Sequence, residues 1–137
     1  MDTDMIMVLT VIFGEIAIVL IVKSFTKLGL KSGDKLVQTL SEEQIDRLKE
    51  NRVEQIEALT WSQLGIICEV QESKRRAYLK VLWYNTVVIN KQYFKFRYSD
   101  ITMSKKEYEN MGLQQWSYVR IYLDPNRSYA EILSKEN

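Results

Sequence analysis

The chain has 137 residues, about one domain's worth, with 19 Lys and Arg against 18 Asp and Glu and a net charge of +1. Its single proline and five glycines exclude collagen-like and Pro/Gly-rich disordered classes. A lone cysteine excludes an internal disulfide framework and multi-cysteine metal sites, and the absence of histidine excludes Ser-His-Asp or Cys-His machinery built from this chain alone.

Met5 to Val22 reads MIMVLTVIFGEIAIVLIV, 18 residues with one charge, Glu15. A helix of that length extends roughly 27 Å, close to the thickness of a hydrocarbon core. The reading is a transmembrane helix over residues 1–23, with a buried core helix or virion-packed segment as the alternative. A cleaved signal peptide fits less well, because Asp2 and Asp4 stand where such a peptide wants Lys or Arg. The positive charges follow the span, at Lys23, Lys27, Lys31 and Lys35. They predict a single-pass protein with its N-terminus outside and its C-terminal domain in the cytoplasm. Thr10, Gly14 and Ala17 form a small-residue stripe that lets another helix approach. Glu15 is an intramembrane carboxylate, read as an interhelical contact, with no role as the next alternative and proton or ion work after it.

Residues 24–40 form a basic juxtamembrane segment suited to an anionic leaflet or serving as a plain stop-transfer flank. Ser41-Glu42-Glu43-Gln44 fits a capping box, as does Thr39-Leu40-Ser41-Glu42. An amphipathic helix is predicted over 41–60, with Ile45, Leu48, Val53, Ile56 and Leu59 on one face. It is expected to pack on the domain that follows or to oligomerise.

From Gly65 the hydrophobic period becomes two, and residues 61–137 are read as a small β domain. Gly65 to Gln71 places Ile66, Cys68 and Val70 on one face. Arg76 to Tyr84 turns Ala77, Leu79, Val81 and Trp83 inward, and Arg76, Tyr78, Lys80 and Tyr84 outward. A short strand at Val87 to Asn90 follows. Tyr93 to Tyr98 is read with Phe94, Phe96 and Tyr98 inward and Tyr93, Lys95 and Arg97 outward. Ser104-Lys105-Lys106-Glu107 opens a short helix that Gly112 ends. Trp116 to Leu123 turns Ser117, Val119, Ile121 and Leu123 one way and Trp116, Tyr118, Arg120 and Tyr122 the other. Asp124-Pro125-Asn126 is a turn, and 128–135 a short terminal helix. The fold class is therefore α+β, with a mainly antiparallel sheet after the N-terminal helices.

The series Gly65-Ile66-Ile67, Leu79-Lys80-Val81-Leu82-Trp83 and Tyr98-Ser99-Asp100-Ile101 resembles the rhythm of small SH3-like barrels, including modules common in bacteriophage proteins. There, a G-I-V strand is followed by a V-x-W strand and a closing aromatic-S-x-L/I segment. The resemblance covers Gly65 to Met103 and implies a small barrel that binds partners. Tyr84-Asn85-Thr86 stands where those modules carry a glycine after the Trp.

Lys74 to Lys106 contains nine basic residues and one acid, Asp100, so the near-zero net charge hides a strong asymmetry. Outward Arg76, Tyr78 and Lys80, with outward Tyr93, Lys95 and Arg97, would join cations and rings on one surface. Nucleic acid wants that pairing, and anionic lipid or an acidic protein wants its cations. The row Trp116, Tyr118, Arg120 and Tyr122 is a candidate protein interface, unless the helix or the C-terminal segment covers it. No P-loop or dinucleotide motif occurs, Cys68 sits on an apolar strand face, and nothing spaces Asp100, Glu107, Glu109 and Asp124 for a reaction. The reading is a non-enzymatic, membrane-anchored scaffold that docks a protein partner, with no catalytic residue, metal or cofactor. It is expected to be a homo-oligomer or a subunit of a complex. The alternatives are a membrane-tethered nucleic-acid binder and a structural subunit of a membrane or virion assembly.

Overall fold

The computed structural model describes residues 6–9, 20–21, 31–50, 53–57, 60–85, 87–89, 92–93, 96–124, 127 and 129–137. Mainly antiparallel sheet with a few short helices is the observed architecture. The strands in chain order are β1 (Ile6–Leu9), β2 (Leu20–Ile21), β3 (Lys31–Ser32), β4 (Glu54–Glu57), β5 (Thr60–Glu72), β6 (Arg76–Tyr84), β7 (Val87–Ile89), β8 (Gln92–Tyr93), β9 (Phe96–Ser104), β10 (Tyr118–Asp124) and β11 (Tyr129–Glu136). The helices are α1 (Asp34–Val37), α2 (Glu42–Lys49) and α3 (Lys105–Asn110).

A seven-stranded sheet runs β11-β10-β5-β6-β9-β3, with β4 also paired to β5. Its centre is β5, thirteen residues long and buried without interruption from Thr60 to Cys68. A strand buried on both faces must divide two apolar compartments. On the inner face Trp61, Ile67, Val81, Trp83, Val119 and Ile121 form the main core. The sheet curls round it until Ile132 of β11 joins Ile101 and Met103 of β9 in one cluster. Tyr108 of α3 and Leu113 belong to the same cluster. On the outer face Leu64, Ile66, Cys68, Leu82 and Phe96 pack with Leu36 and Leu48, which α1 and α2 supply.

The inward assignment of Ala77, Leu79, Val81 and Trp83 holds, and all four are buried. So does the Ser41 capping box: the Ser41 hydroxyl accepts from the Gln44 amide and the Ser41 amide donates to the Gln44 side chain. Ser104 caps α3 by accepting from the Glu107 amide at 3.1 Å, and Gly112 follows the helix at φ 67°, a conformation glycine adopts without strain.

Three sequence expectations are corrected. The amphipathic helix ends at Lys49 rather than near residue 60, because the chain then extends to pair Glu54 with Ser62 and Gln55 with Trp61. That pairing buries Val53 in the inner core and leaves Ile56 half exposed. Residues 129–136 form β11, not a helix, because β10 offers a free edge along its whole length. Val70 leaves the face of Ile66 and Cys68, because a bulge between Ile67 and Glu69 inserts one residue and reverses the phase beyond it.

The expected transmembrane helix falls mostly outside the described residues, as do Thr10, Gly14, Glu15 and Ala17. Where the stretch is described, Ile6–Leu9 and Leu20–Ile21 are strands, in a four-stranded sheet ordered β2-β1-β7-β8. Among the described residues no helix is long and apolar enough to cross a membrane.

Gly65 marks a close approach of β5 to β6. A Cβ there would stand 2.7 Å from Val81 Cγ1 and 3.1 Å from the Leu82 carbonyl oxygen. Gly65→Ala is expected to lose about 1–3 kcal/mol through overpacking, read as a fall in the urea midpoint. An unchanged midpoint would show that the two strands part freely at this point.

Candidate functional site

Among the described residues, the outer face of the sheet is covered in only one half. α1 and α2 lie over the Leu64, Ile66, Leu82 and Phe96 half, while the half toward the β5–β6 turn carries polar side chains. Strand phase places Arg76, Tyr78 and Lys80 there, as the alternation of β6 predicts. Tyr78 is 46% exposed, between Gln71 of β5 and Thr102 of β9 in the cross-strand register. Lys80 lies between Glu69 and Asp100 in the same register, and Arg76 lies opposite Ser104. A depression of about 250 Å³ opens among Glu69, Gln71, Tyr78, Lys80, Asp100 and Thr102. The Lys80 ammonium lies 5.2 Å from the centre of the Tyr98 ring, a cation–π contact reaching toward the covered half.

Of the other half of the expected basic surface, Arg97 is the residue whose side chain is described. Arg97 is 5% exposed and shares the inner face with Trp83, its register partner, so it does not point outward. Burial pushes its guanidinium down to about 10, and the Asp34 carboxylate opposes that shift. Phe96 and Tyr98, expected inward, turn outward against the α1–α2 cover. Both faces of this sheet are apolar at this end, so alternating aromatics identify a face without telling which one. Tyr93 belongs to β8 in the smaller sheet, and Lys95 lies outside the described residues.

The row Trp116, Tyr118, Arg120 and Tyr122 is shared between two covering elements. The Arg47 guanidinium of α2 sits 3.9 Å from the Tyr118 ring centre and also donates to the Asn137 carbonyl. Tyr122 meets Tyr129 of β11 edge to face, at 6.2 Å between centroids. Arg120 is half-buried.

Trp116 precedes the strand and is 37% exposed, with φ at 74°. That is a strained conformation for a bulky residue. Its neighbourhood is firmly bonded: Trp116 N–H donates to the Ile67 carbonyl at 2.7 Å, Ile67 N–H to the Ser117 carbonyl at 3.0 Å, and the Gln115 side chain to the Cys68 carbonyl at 2.9 Å.

Where the cations do converge is the end of the β5–β6 hairpin. Lys74, Arg75 and Arg76 stand at its turn, tightened by Ser73, whose amide donates to the Arg76 carbonyl at 2.9 Å and whose hydroxyl accepts from the Arg76 amide at 3.1 Å. The Lys105 amide donates to the Arg75 carbonyl at 2.9 Å, which brings Lys105 and Lys106 to the same tip. Charge counting along the chain detects these residues, but only the β6–β9 register places them together.

Cys68 is 2% exposed, and burial together with the Glu69 carboxylate pushes its thiol up to about 12. A nucleophilic thiolate needs the reverse shift. Among the described residues no group of three or more acidic or cysteine side chains is arranged to hold a metal ion. Comparison of the chain with protein-family models, curated proteins and solved structures finds no match.

Proposed function

We propose that the chain is a non-enzymatic docking protein, tethered at a membrane by its apolar first segment, whose β domain holds a protein partner on the open half of the outer face. The observation that carries the reading is the charge order across that half. Lys80 is flanked in register by Glu69 and Asp100, with exposed Tyr78 beside them. A phosphate backbone would meet two carboxylates for one lysine there, whereas a protein surface can match both signs around an aromatic anchor. The meander β5-β6-β9, the short α3 and the return of β10 alongside β5 support an SH3-like module. The tether rests on the composition of residues 5–22. Insertion would have to exchange the pairing of β1 with β7 for a helix that closes its own backbone hydrogen bonds, and that pairing weighs against the tether.

A membrane-tethered nucleic-acid binder is the competing reading, and the inward placement of Arg97 weighs against it. Binding would raise the partner's local concentration at the membrane, an effect that needs no chemistry. The test places a photo-crosslinking residue at position 78 of the full chain in membranes. A discrete protein adduct, lost when Asp100→Arg is added, and a chain that stays in the membrane pellet after alkaline extraction are expected. An adduct with nucleic acid would overturn the docking reading, and release into the alkaline supernatant would overturn the tether.

A further inference from the structure

The two ends of β5 carry opposite charge. β4, paired with the start of β5, exposes Glu54 and Glu57, and α2 with its C-cap, lying over mid-strand where Arg47 meets Tyr118, exposes Glu42, Glu43, Asp46 and Glu50. Of the described cations on these elements, Arg47 is engaged with Tyr118 and Asn137, which leaves Lys49 on the exposed ridge. At the far end of β5 stands the basic tip of Lys74, Arg75, Arg76, Lys105 and Lys106, which outnumber Glu72, held 3.7 Å from Lys105, and the exposed Glu107 and Glu109 of α3. Along β5, Glu54 pairs with Ser62 and α2 lies over Ile66, so roughly 33 Å and roughly 20 Å of strand, at about 3.3 Å per residue, separate them from Glu72 at the turn. Both exceed the Debye length of about 8 Å at physiological salt, so the ridge screens the tip of its own chain only weakly.

We infer that the basic tip of one copy docks on the acidic α2–β4 ridge of a second copy, head to tail. A single partner then satisfies both patches, whereas lipid or nucleic acid would satisfy the tip alone and be repelled by the ridge. The net charge of +1 leaves little overall repulsion between copies, so the local attraction decides the encounter. Both surfaces are held in place: the tip by the Ser73 turn and the Lys105–Arg75 bond, the ridge by the Ser41 capping box and the β4–β5 pairing. The contact is heterologous, tip to ridge, so it leaves a free tip and a free ridge at the ends of every chain of copies until a ring closes. The tip shares Arg76 with the open half of the outer face, but the tip and ridge variants leave Arg76, Tyr78 and Asp100 unchanged, so the two proposals fail independently.

The test is sedimentation of the full chain in a nonionic detergent, at low and high salt. The wild-type chain is expected to self-associate at low salt and to weaken by about tenfold or more at high salt. A tip variant (Arg75→Glu with Lys106→Glu) and a ridge variant (Glu43→Lys with Glu54→Lys) should each be monomeric alone. Mixed, they should associate again, because the reversed tip now meets a reversed ridge. Circular dichroism checks that both variants fold. A monomeric wild-type chain at low salt, a variant that associates as the wild type does, or a mixture that stays monomeric would each overturn the inference.

Discussion

Trp83→Ala is expected to cost about 3–5 kcal/mol, a large part of the roughly 5–15 kcal/mol that holds a domain of this size together. Trp83 has no exposed surface and lies in the inner core beside Val81 and Ile121. Its indole N–H points to the Ser99 hydroxyl at 3.4 Å, so a polar tie across to β9 is lost along with the ring. Its strand sits between β5 and β9, and no element can move in to fill the space without breaking one of those ladders. Urea unfolding followed by far-UV circular dichroism reads the loss without relying on tryptophan emission. A fall below about 1 kcal/mol would show that the inner cluster relaxes into the gap and is not closely packed.

Leu48→Ala is expected to cost about 2–5 kcal/mol and to act differently. Leu48 is the buried side chain by which α2 enters the outer cluster, with Leu64, Ile66 and Cys68, and half-buried Ile45 packs beside it. Losing it loosens the cover while leaving the inner core intact. The readout is Cys68, which the wild-type fold buries and holds protonated, with its thiol raised to about 12. In the variant a disulfide-exchange reagent should modify Cys68 under native conditions, while the β circular dichroism signal persists. A thiol as protected as in the wild type, with an unmoved urea midpoint, would mean that α2 does not depend on Leu48 to stay on the sheet.

What could be read along the chain depended on whether one face or two were buried. β6 and β10 declared themselves by alternation, and the inward residues Leu79, Val81, Trp83, Val119 and Ile121 are all in the core. The caps at Ser41 and Ser104 were visible because a hydroxyl three residues before an amide partner is a local matter. The start of β5 was hidden: Trp61 to Leu64 is buried on both faces and shows no period. β11 was hidden for another reason, since Glu131-Ile132-Leu133-Ser134-Lys135 suits a helix and only the free edge of β10 makes it a strand. At the site, Arg76, Tyr78 and Lys80 were placed on the right face. The carboxylates beside Lys80 were not, because the side on which Glu69 falls depends on the bulge at Cys68, and the place of Asp100 on the β6–β9 register.

β5 also sets the order of events during synthesis. One of its edges is taken by β6, which emerges immediately after it, but the other waits for β10, with Ile66 pairing to Tyr118 across a long loop of chain. Until then the apolar run from Trp61 to Cys68 has one ladder and one open edge, the form most prone to pair with a stranger. Closure across such a separation is slow compared with hairpin formation. A ribosome paused before Tyr118 would therefore display a sticky, half-walled sheet, and the last few strands to leave it are the ones that make the protein safe.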